Sequence, residues 1–227
     1  TRYCLYPQEF VGEIPIVGGT KDTDWEKLRA LKPDLSVADR EENKKESLGK
    51  CQAHYWVSHI KSLHDMPKEI HDLSLCLKNL GGKSFPLLDQ LQKRWQEQVS
   101  KKKNLEVLDL PDVQWIQPPE EKIEKIYYVI WKDPLMVVSR NTFIGSIFSH
   151  FGLGGQIEQG PKEYPEISLE DLKKEGALFL FSTEPFPFGQ NKYREWIKSL
   201  KVNSGLINGE SYSWFGIRSL EFLESLA

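Results

Sequence analysis

The sequence predicts an α/β protein of two lobes, each with a central, mainly parallel sheet flanked by helices, joined by one long α-helix. Two observations lead to this prediction. Short apolar strands alternate with helices in both halves of the 227-residue chain, and one helix-to-strand unit occurs twice. Such alternation is typical of a parallel sheet covered by helices. Two-lobed α/β proteins usually bind a ligand in the cleft between their lobes.

The repeated unit opens with a capping-box pattern, in which a hydroxyl and a carboxylate three residues apart satisfy free N–H groups at a helix start. The first copy has Thr23 and Glu26 and leads into a strand at 35–38. The second copy has Ser168 and Asp171 and leads into a strand at 175–182. We expect each copy to form one short helix that runs directly into a buried strand.

The first half is expected to hold three strands, at 14–17, 35–38 and 54–58, which are short and apolar. Helices are predicted at 23–31, 41–49 and 66–80, the last ended by glycine. A longer helix at 84–103 follows, since Leu88, Leu91, Trp95 and Val99 form one apolar stripe. This helix is either a rigid connector between lobes or an ordinary packing helix of one domain.

The second half begins with residues 109–122, which are rich in proline and charge and predict a linker or exposed loop. A buried strand at 125–131 and a helix capped by Thr142 precede the second copy of the repeat. A helix at 190–200, a strand at 205–208 and a helix at 217–227 follow it. The predicted domains are an N-terminal lobe at 1–83, the connecting helix at 84–108 and a C-terminal lobe at 109–227.

Composition excludes several classes of function. The net charge of −3 gives no nucleic-acid footprint, and three scattered cysteines are too few for a zinc knuckle or a disulfide framework. Neither a membrane span nor a signal-peptide pattern occurs. There is no GxSxG elbow, phosphate loop, HExxH or paired CxxC, and the five histidines do not converge. We therefore expect no catalytic residue, no metal ligand set and no enzyme.

Ligand-binding residues are expected beyond the carboxyl ends of the strands, where open α/β sheets bind their ligands. Trp56, Trp131 and Trp214 fall at or near such ends and would suit a large, flat, partly apolar ligand. In the alternative interpretation, each indole only packs against a sheet edge. Polar side chains in the turns after the strands either orient the ligand or are simply solvated. They are Lys21, Arg40, Glu41, Glu184 and Arg218.

Several short motifs together resemble one protein family. They include Val17-Gly-Gly-Thr-Lys21, Arg40-Glu-Glu-Asn43, Tyr164-Pro-Glu-Ile-Ser168, Ser182-Thr-Glu-Pro-Phe-Pro-Phe188 and Ser213-Trp-Phe-Gly216. In this order they resemble the periplasmic-binding-protein family with a helical backbone, the group of cobalamin, haem and iron-siderophore receptors of ABC importers. The resemblance runs from residue 1 to about residue 220 and is nearest to the cobalamin-binding type.

The resemblance implies a monomer that binds a corrinoid, haem or ferric siderophore between two lobes and delivers it to an ABC permease. By motif match, Tyr6, Trp56, Trp131 and Trp214 would take the places of the family's cleft aromatics. Glu46 and Glu195 would take those of the acidic residues that dock on the permease. The implied location is the periplasm or the outer face of the membrane as a lipoprotein, although the sequence does not exclude the cytoplasm.

Two departures from the family leave alternatives open. The family normally has a strand and a helix ahead of the position of Thr1, without which the first sheet is expected to be incomplete. The stretch from Arg40 to Asn43 is also more charged than in cobalamin receptors. One alternative is a cytosolic enzyme or metal-handling protein on a related two-lobed fold. Another is a receptor for a bare metal ion, which would need histidine and carboxylate ligands on facing sides of the cleft.

Overall fold

A computed structural model describes residues 1–227 apart from Tyr3, Leu5, Cys51, Gln52 and Ala227. The helices are α1 (Gln8–Val11), α2 (Trp25–Ala30), α3 (Lys45–Leu48), α4 (Met66–Gly81), α5 (Pro86–Ser100), α6 (Phe143–His150), α7 (Asn191–Leu200), α8 (Gly209–Ser213) and α9 (Ile217–Ser225). The strands are β1 (Leu35–Asp39), β2 (His54–Ser58), β3 (Val113–Gln117), β4 (Lys125–Trp131), β5 (Met136–Val137), β6 (Ala177–Ser182) and β7 (Ser204–Ile207).

The chain divides into two compact units. Unit 1 comprises residues 1–59 and 71–86, and unit 2 comprises residues 60–70 and 87–227. The predicted α/β class is confirmed, since both units combine helices with parallel strands. The predicted domain limits at 83/84 and 108/109 stay predictions. Within the described part of the chain, no helix is both long and apolar enough to cross a membrane.

Unit 1 contains a parallel pair of strands, β1 and β2, in which Leu35 pairs with His54 and Asp39 with Ser58. Both strands were predicted. The strand predicted at 14–17 is wrong, because Ile14 lies in a bend and residues 15–17 are irregular chain outside any sheet. Pro15 has no backbone N–H to offer a neighbouring strand. The helix predicted at 41–49 is reduced to the single turn α3.

Unit 2 is built on a five-stranded sheet in the order β3-β7-β6-β4-β5. The three central strands run parallel, and β3 and β5 lie antiparallel at the two edges. Alternate residues of β4 enter separate cores, so that Tyr128 packs on one face and Tyr127 on the other. Both faces are thus covered, which explains the continuous apolar runs of β4 and β6.

The segment predicted as a linker at 109–122 is instead partly strand, which corrects that prediction. Val113 and Gln114 of β3 pair with Ile207 and Leu206 of β7. Flanking prolines concealed the strand, although Val113 and Trp115 show the alternation of a half-buried edge strand.

The helix predicted at 84–103 forms as α5, two residues shorter at its start and three shorter at its end. The predicted stripe is buried: Trp95 is fully enclosed in the unit 2 core, and Leu88, Leu91 and Val99 pack against it. Arg94 forms two hydrogen bonds to the Glu224 carboxylate of α9, at 2.9 and 2.6 Å. Helix α5 therefore packs on the core of unit 2, and its role as a connector between lobes stays a prediction.

The two copies of the repeat differ. In the first copy the predicted cap residue is wrong, because Asp24 caps α2 by accepting from Lys27 N–H, while the Thr23 hydroxyl donates to Gly19. In the second copy Ser168 and Asp171 form the reciprocal bonds of a capping box. That box opens a single 3₁₀ turn at Asp171–Lys173 rather than an α-helix.

Candidate functional site

Four of the predicted ligand residues lie at one edge of the unit 2 sheet, which we name the carboxyl edge. Strands β4, β6 and β7 are parallel, so their carboxyl ends meet there. Trp131 is the last residue of β4, Glu184 follows β6 by two residues, and Trp214 and Arg218 follow β7 through α8. The structure brings these residues together, and their role in binding stays a prediction.

The Glu184 carboxylate holds the indole of Trp214. Trp214 Nε1–H donates to Glu184 Oε2 over 2.7 Å, and both side chains are partly buried. A hydrogen bond from a neutral donor to an ionised carboxylate is stronger than one between neutral groups. The indole is therefore fixed at its polar end.

A second charged residue, Arg218, contacts the same indole. Its guanidinium carbon lies 6.0 Å from the centroid of the Trp214 ring, within the range of a cation–π contact. Arg218 also forms an ion pair with Glu210 at the start of α8. Both residues of this pair are about three-quarters shielded from solvent, with side-chain exposures of 25% and 30%.

Trp131 belongs to a separate aromatic group on the same edge. It is 41% exposed, and its ring meets that of Phe186 edge to face at 5.3 Å. Trp131 Nε1–H donates to the carbonyl of Asp133 in the following turn. Phe186 contacts Phe188 and Tyr193. The segment 182–188 therefore links the Trp131 group to the Glu184–Trp214 pair.

A groove of about 500 Å³ opens at this edge, beside Glu184. Its polar lining includes residues that sequence reasoning missed: Asp112, Arg194, Asn208 and Glu210. Asp112 lies near the start of the segment 109–122, directly before β3, and Arg194 lies on α7. Asn208 directly follows β7, so its position after a strand was a usable signal. Carboxylates and an arginine here can accept from and donate to the polar rim of a ligand.

Buried groups below the edge hold the end of β6 in place. The hydroxyls of Tyr128 and Ser182 are hydrogen-bonded over 3.0 Å, and Ser182 is fully buried. Burial raises the pKa of the Tyr128 phenol far above its usual range, so the phenol stays neutral. Ser182 Oγ also donates to the carbonyl of Glu184. This chain of bonds fixes the backbone that carries Glu184.

In unit 1 the structure brings Lys21, Arg40 and Glu41 to the carboxyl end of β1. Lys21 Nζ lies 3.8 Å from the Glu42 carboxylate, and Arg40 Nη1 lies 3.2 Å from His59 Nδ1. Asp39 Oδ1 accepts from Glu41 N–H at 2.9 Å and so orders the turn. All three candidate side chains are exposed.

Trp56 and Tyr6 are the other two candidate ligand residues of unit 1. Trp56 lies inside β2, paired with Val37, two residues before the strand ends. It lines a groove with Leu75 and Cys76 of α4, and its role in binding stays a prediction. Tyr6 is 45% exposed just ahead of α1.

The two predicted docking residues are both exposed on helices. Glu46 lies on α3, and Glu195 lies on α7 with its carboxylate 2.8 Å from Lys198 Nζ. Within the described residues, no group of three or more His, Cys, Asp or Glu side chains is arranged to hold a metal ion.

Comparison with solved structures identifies the fold. The periplasmic vitamin B12-binding protein BtuF of Vibrio cholerae superposes with a TM-score of 0.61 and 19% sequence identity, over 100% of this chain and 84% of BtuF. The periplasmic haem-binding protein RhuT from Roseiflexus sp. RS-1 gives 0.65 and 15%, over 98% of this chain and 84% of RhuT. The chain has the fold of these periplasmic binding proteins.

Haem-bound IsdE of S. aureus has the same fold, with a TM-score of 0.63 and 15% identity over 100% of this chain and 87% of IsdE. The predicted resemblance in fold is thereby confirmed, and two of these neighbours are described as periplasmic binding proteins, for vitamin B12 and for haem. No protein-family model and no curated protein matches the sequence.

Proposed function

We propose that this chain is the substrate-binding protein of an ABC importer and that it binds a corrinoid or another large metal chelate outside the cytoplasm. The observation that carries the proposal is the pair of indoles, Trp131 and Trp214, at the carboxyl edge of the unit 2 sheet, in a chain with the fold of periplasmic binding proteins. Matching structures are described as binding vitamin B12 or haem, and two of those named above are periplasmic.

The geometry supports a flat, partly apolar ligand. Indole rings offer large apolar faces for stacking, and each also carries one polar N–H. Both N–H groups already have acceptors here, on Asp133 and Glu184, so the exposed parts of the rings are apolar surface. Asp112, Glu210 and Arg194 line the groove that opens beside Glu184, and they would bind the polar side groups of the chelate.

Isothermal titration with cyanocobalamin, haemin and a ferric hydroxamate siderophore tests this function. We expect one of them to bind with a Kd below about 10 μM, equivalent to about −7 kcal/mol. Failure of all three to bind at that level would refute the proposed ligand class.

Variants of the indoles locate the site. Trp131→Ala and Trp214→Ala should each raise the Kd about tenfold through loss of stacking area. Leu169→Ala is the matched control, because Leu169 is 63% exposed and lies before β6, at its amino end. An equal loss of affinity in Leu169→Ala would show that the carboxyl edge is not the binding site.

Delivery to a permease is part of the proposal and rests on the resemblance. Glu46→Gln and Glu195→Gln should leave the Kd for the ligand unchanged and should lower uptake in cells that carry the cognate permease. Normal uptake in the double variant would rule out these two residues as the docking contacts.

A further inference from the structure

The indole of Trp214 is held from two directions by side chains that reach it from different elements. Glu184, on the loop after β6, accepts the Nε1–H over 2.7 Å. Arg218, on α9, places its guanidinium carbon 6.0 Å from the ring centroid. One contact fixes the edge of the indole and the other lies over a face. Together they define the orientation of the ring.

Backbone contacts also fix the segment that carries Trp214. The Ser219 hydroxyl donates to the Trp214 carbonyl over 2.6 Å, and Trp214 N–H donates to the Glu210 carbonyl. Arg218 is held in turn by its ion pair with Glu210. The rotamer of Trp214 is thus set by a network of Glu184, Arg218, Glu210 and Ser219.

The loop that carries Glu184 is pressed against the start of α8. A Cβ added at Gly209 would lie 2.6 Å from Ser182 Oγ and 2.8 Å from Glu184 N. Gly209 N–H also donates to Thr183 Oγ1 over 3.0 Å. The position of Glu184 relative to Trp214 is therefore built into the packing of two neighbouring loops.

We propose that Glu184 and Arg218 are positioning residues, which act on a ligand through the indole of Trp214 rather than by contacting the ligand themselves. The inference rests on the proposed function for its ligand readout, but the positioning itself is measurable without any ligand. With one face occupied by Arg218, the ligand would stack on the opposite face of the ring. The network then selects ligands with one flat apolar surface.

The indole N–H resonances of the ¹⁵N-tryptophan-labelled chain test the positioning without ligand. The chain has seven tryptophans, and Trp214→Phe assigns the relevant signal. In Glu184→Ala the Trp214 Nε1–H signal should move upfield and its exchange with water should rise about tenfold or more, since a bond to a charged acceptor is lost. Glu184→Gln, whose amide oxygen still accepts, should restore slow exchange.

Trp131 provides the internal control, because its Nε1–H donates to the carbonyl of Asp133 rather than to Glu184. Its signal should stay unchanged in every Glu184 variant. An unchanged Trp214 signal in Glu184→Ala would overturn the proposal. So would an equal change of the Trp131 signal, since that would indicate general loosening of the edge.

A double-mutant cycle on ligand affinity separates positioning from direct contact. With the ligand that binds in the titration, Glu184→Ala should raise the Kd in the native background and should have no further effect in the Trp214→Ala background. Additive losses would show that Glu184 contacts the ligand directly and would overturn the proposal. If no ligand binds, the proposed function fails, and the resonances alone decide whether Glu184 positions the indole.

Discussion

Units 1 and 2 hold their candidate residues in different ways. Unit 2 buries a sheet on both faces, and its strands position Trp131 and Glu184 through packing. In unit 1, Ala38 is the single apolar side chain that is buried among the described residues. Apolar residues such as Val37 and Tyr55 are 63% and 55% exposed there. Its candidate loops are ordered by hydrogen bonds around Asp39, Asn43 and Ser58.

Unit 2 is therefore stabilised mainly by apolar packing, and unit 1 mainly by side-chain hydrogen bonds. Packing energy grows with the apolar area removed from water, at roughly 25 cal/mol per Å². Hydrogen bonds at partly exposed sites contribute only about 1 kcal/mol each. We therefore expect the free energy of unfolding to depend mostly on unit 2.

The largest expected effect comes from the core of unit 2. Phe181 of β6 is fully buried between Phe188 and Trp196. Phe181→Ala should lower the free energy of unfolding by about 3–5 kcal/mol, measured by urea denaturation. Val37→Ala in unit 1 should change it by less than about 0.5 kcal/mol. Equal losses of unfolding free energy in the two variants would contradict the conclusion that stability depends mostly on unit 2.

The second-largest loss of stability is expected at Gly209, where two loops lie in close contact at the carboxyl edge. In Gly209→Ala the added methyl group would overlap Ser182 Oγ and Glu184 N, so the loops must separate. We expect a loss of about 1–3 kcal/mol in unfolding free energy. Gly155 is the matched control, because a Cβ there meets no atom within 4 Å. The prediction is wrong if Gly209→Ala unfolds at the same urea concentration as Gly155→Ala.

These two sites also show what sequence could and could not predict. The strands β4 and β6 were predictable because a short continuous apolar run, rich in β-branched and aromatic residues, is typical of a strand covered on both faces. The contact at Gly209 was not, since it depends on two loops 26 residues apart that meet only after β6 and β7 pair. The hydrogen bond between Glu184 and Trp214 depends on the same pairing. Sequence nevertheless placed both residues after strands, on the correct edge.

The errors in unit 1 have a physical reason as well. The segment 14–17 and the helix at 41–49 were inferred from local propensity, which tertiary contacts easily override. Asp24 rather than Thr23 caps α2, because the Thr23 hydroxyl is engaged by the Gly19 carbonyl. Where little apolar surface is buried, side-chain hydrogen bonds decide the local structure, and sequence patterns predict them poorly.

Asn43 tests the polar scaffold of unit 1. Its side-chain oxygen accepts from Asp39 N–H at 2.9 Å, and its Nδ2 donates to the Thr20 carbonyl at 3.1 Å. Asn43→Ala should therefore cost about 1–2 kcal/mol and speed amide exchange at Asp39. Asn43→Asp, which keeps the acceptor, should restore slow exchange at Asp39. Unchanged exchange in the alanine variant would show that other contacts order this turn.

His150 adds a dependence on pH to unit 2. Burial lowers the pKa of its imidazole, and the nearby Lys103 and His64 lower it further. The unfolded chain therefore binds a proton more readily, so the folded state loses stability as pH falls below about 6.5. The urea midpoint should be lower at pH 5 than at pH 7.5. The decrease should shrink in His150→Gln and persist in His54→Gln, an exposed control.

The smallest effect concerns Glu195, whose carboxylate pairs with Lys198 three residues along α7. Both side chains are more than half exposed, and such helical pairs contribute about 0.2–0.5 kcal/mol. Glu195→Gln should therefore shift the urea midpoint barely above experimental error, as should Glu46→Gln on α3. A measurable loss in Glu195→Gln alone would mean that the pair stabilises unit 2 more than its exposure suggests. A negligible loss leaves both variants folded, so a fall in permease-dependent uptake would report docking rather than stability.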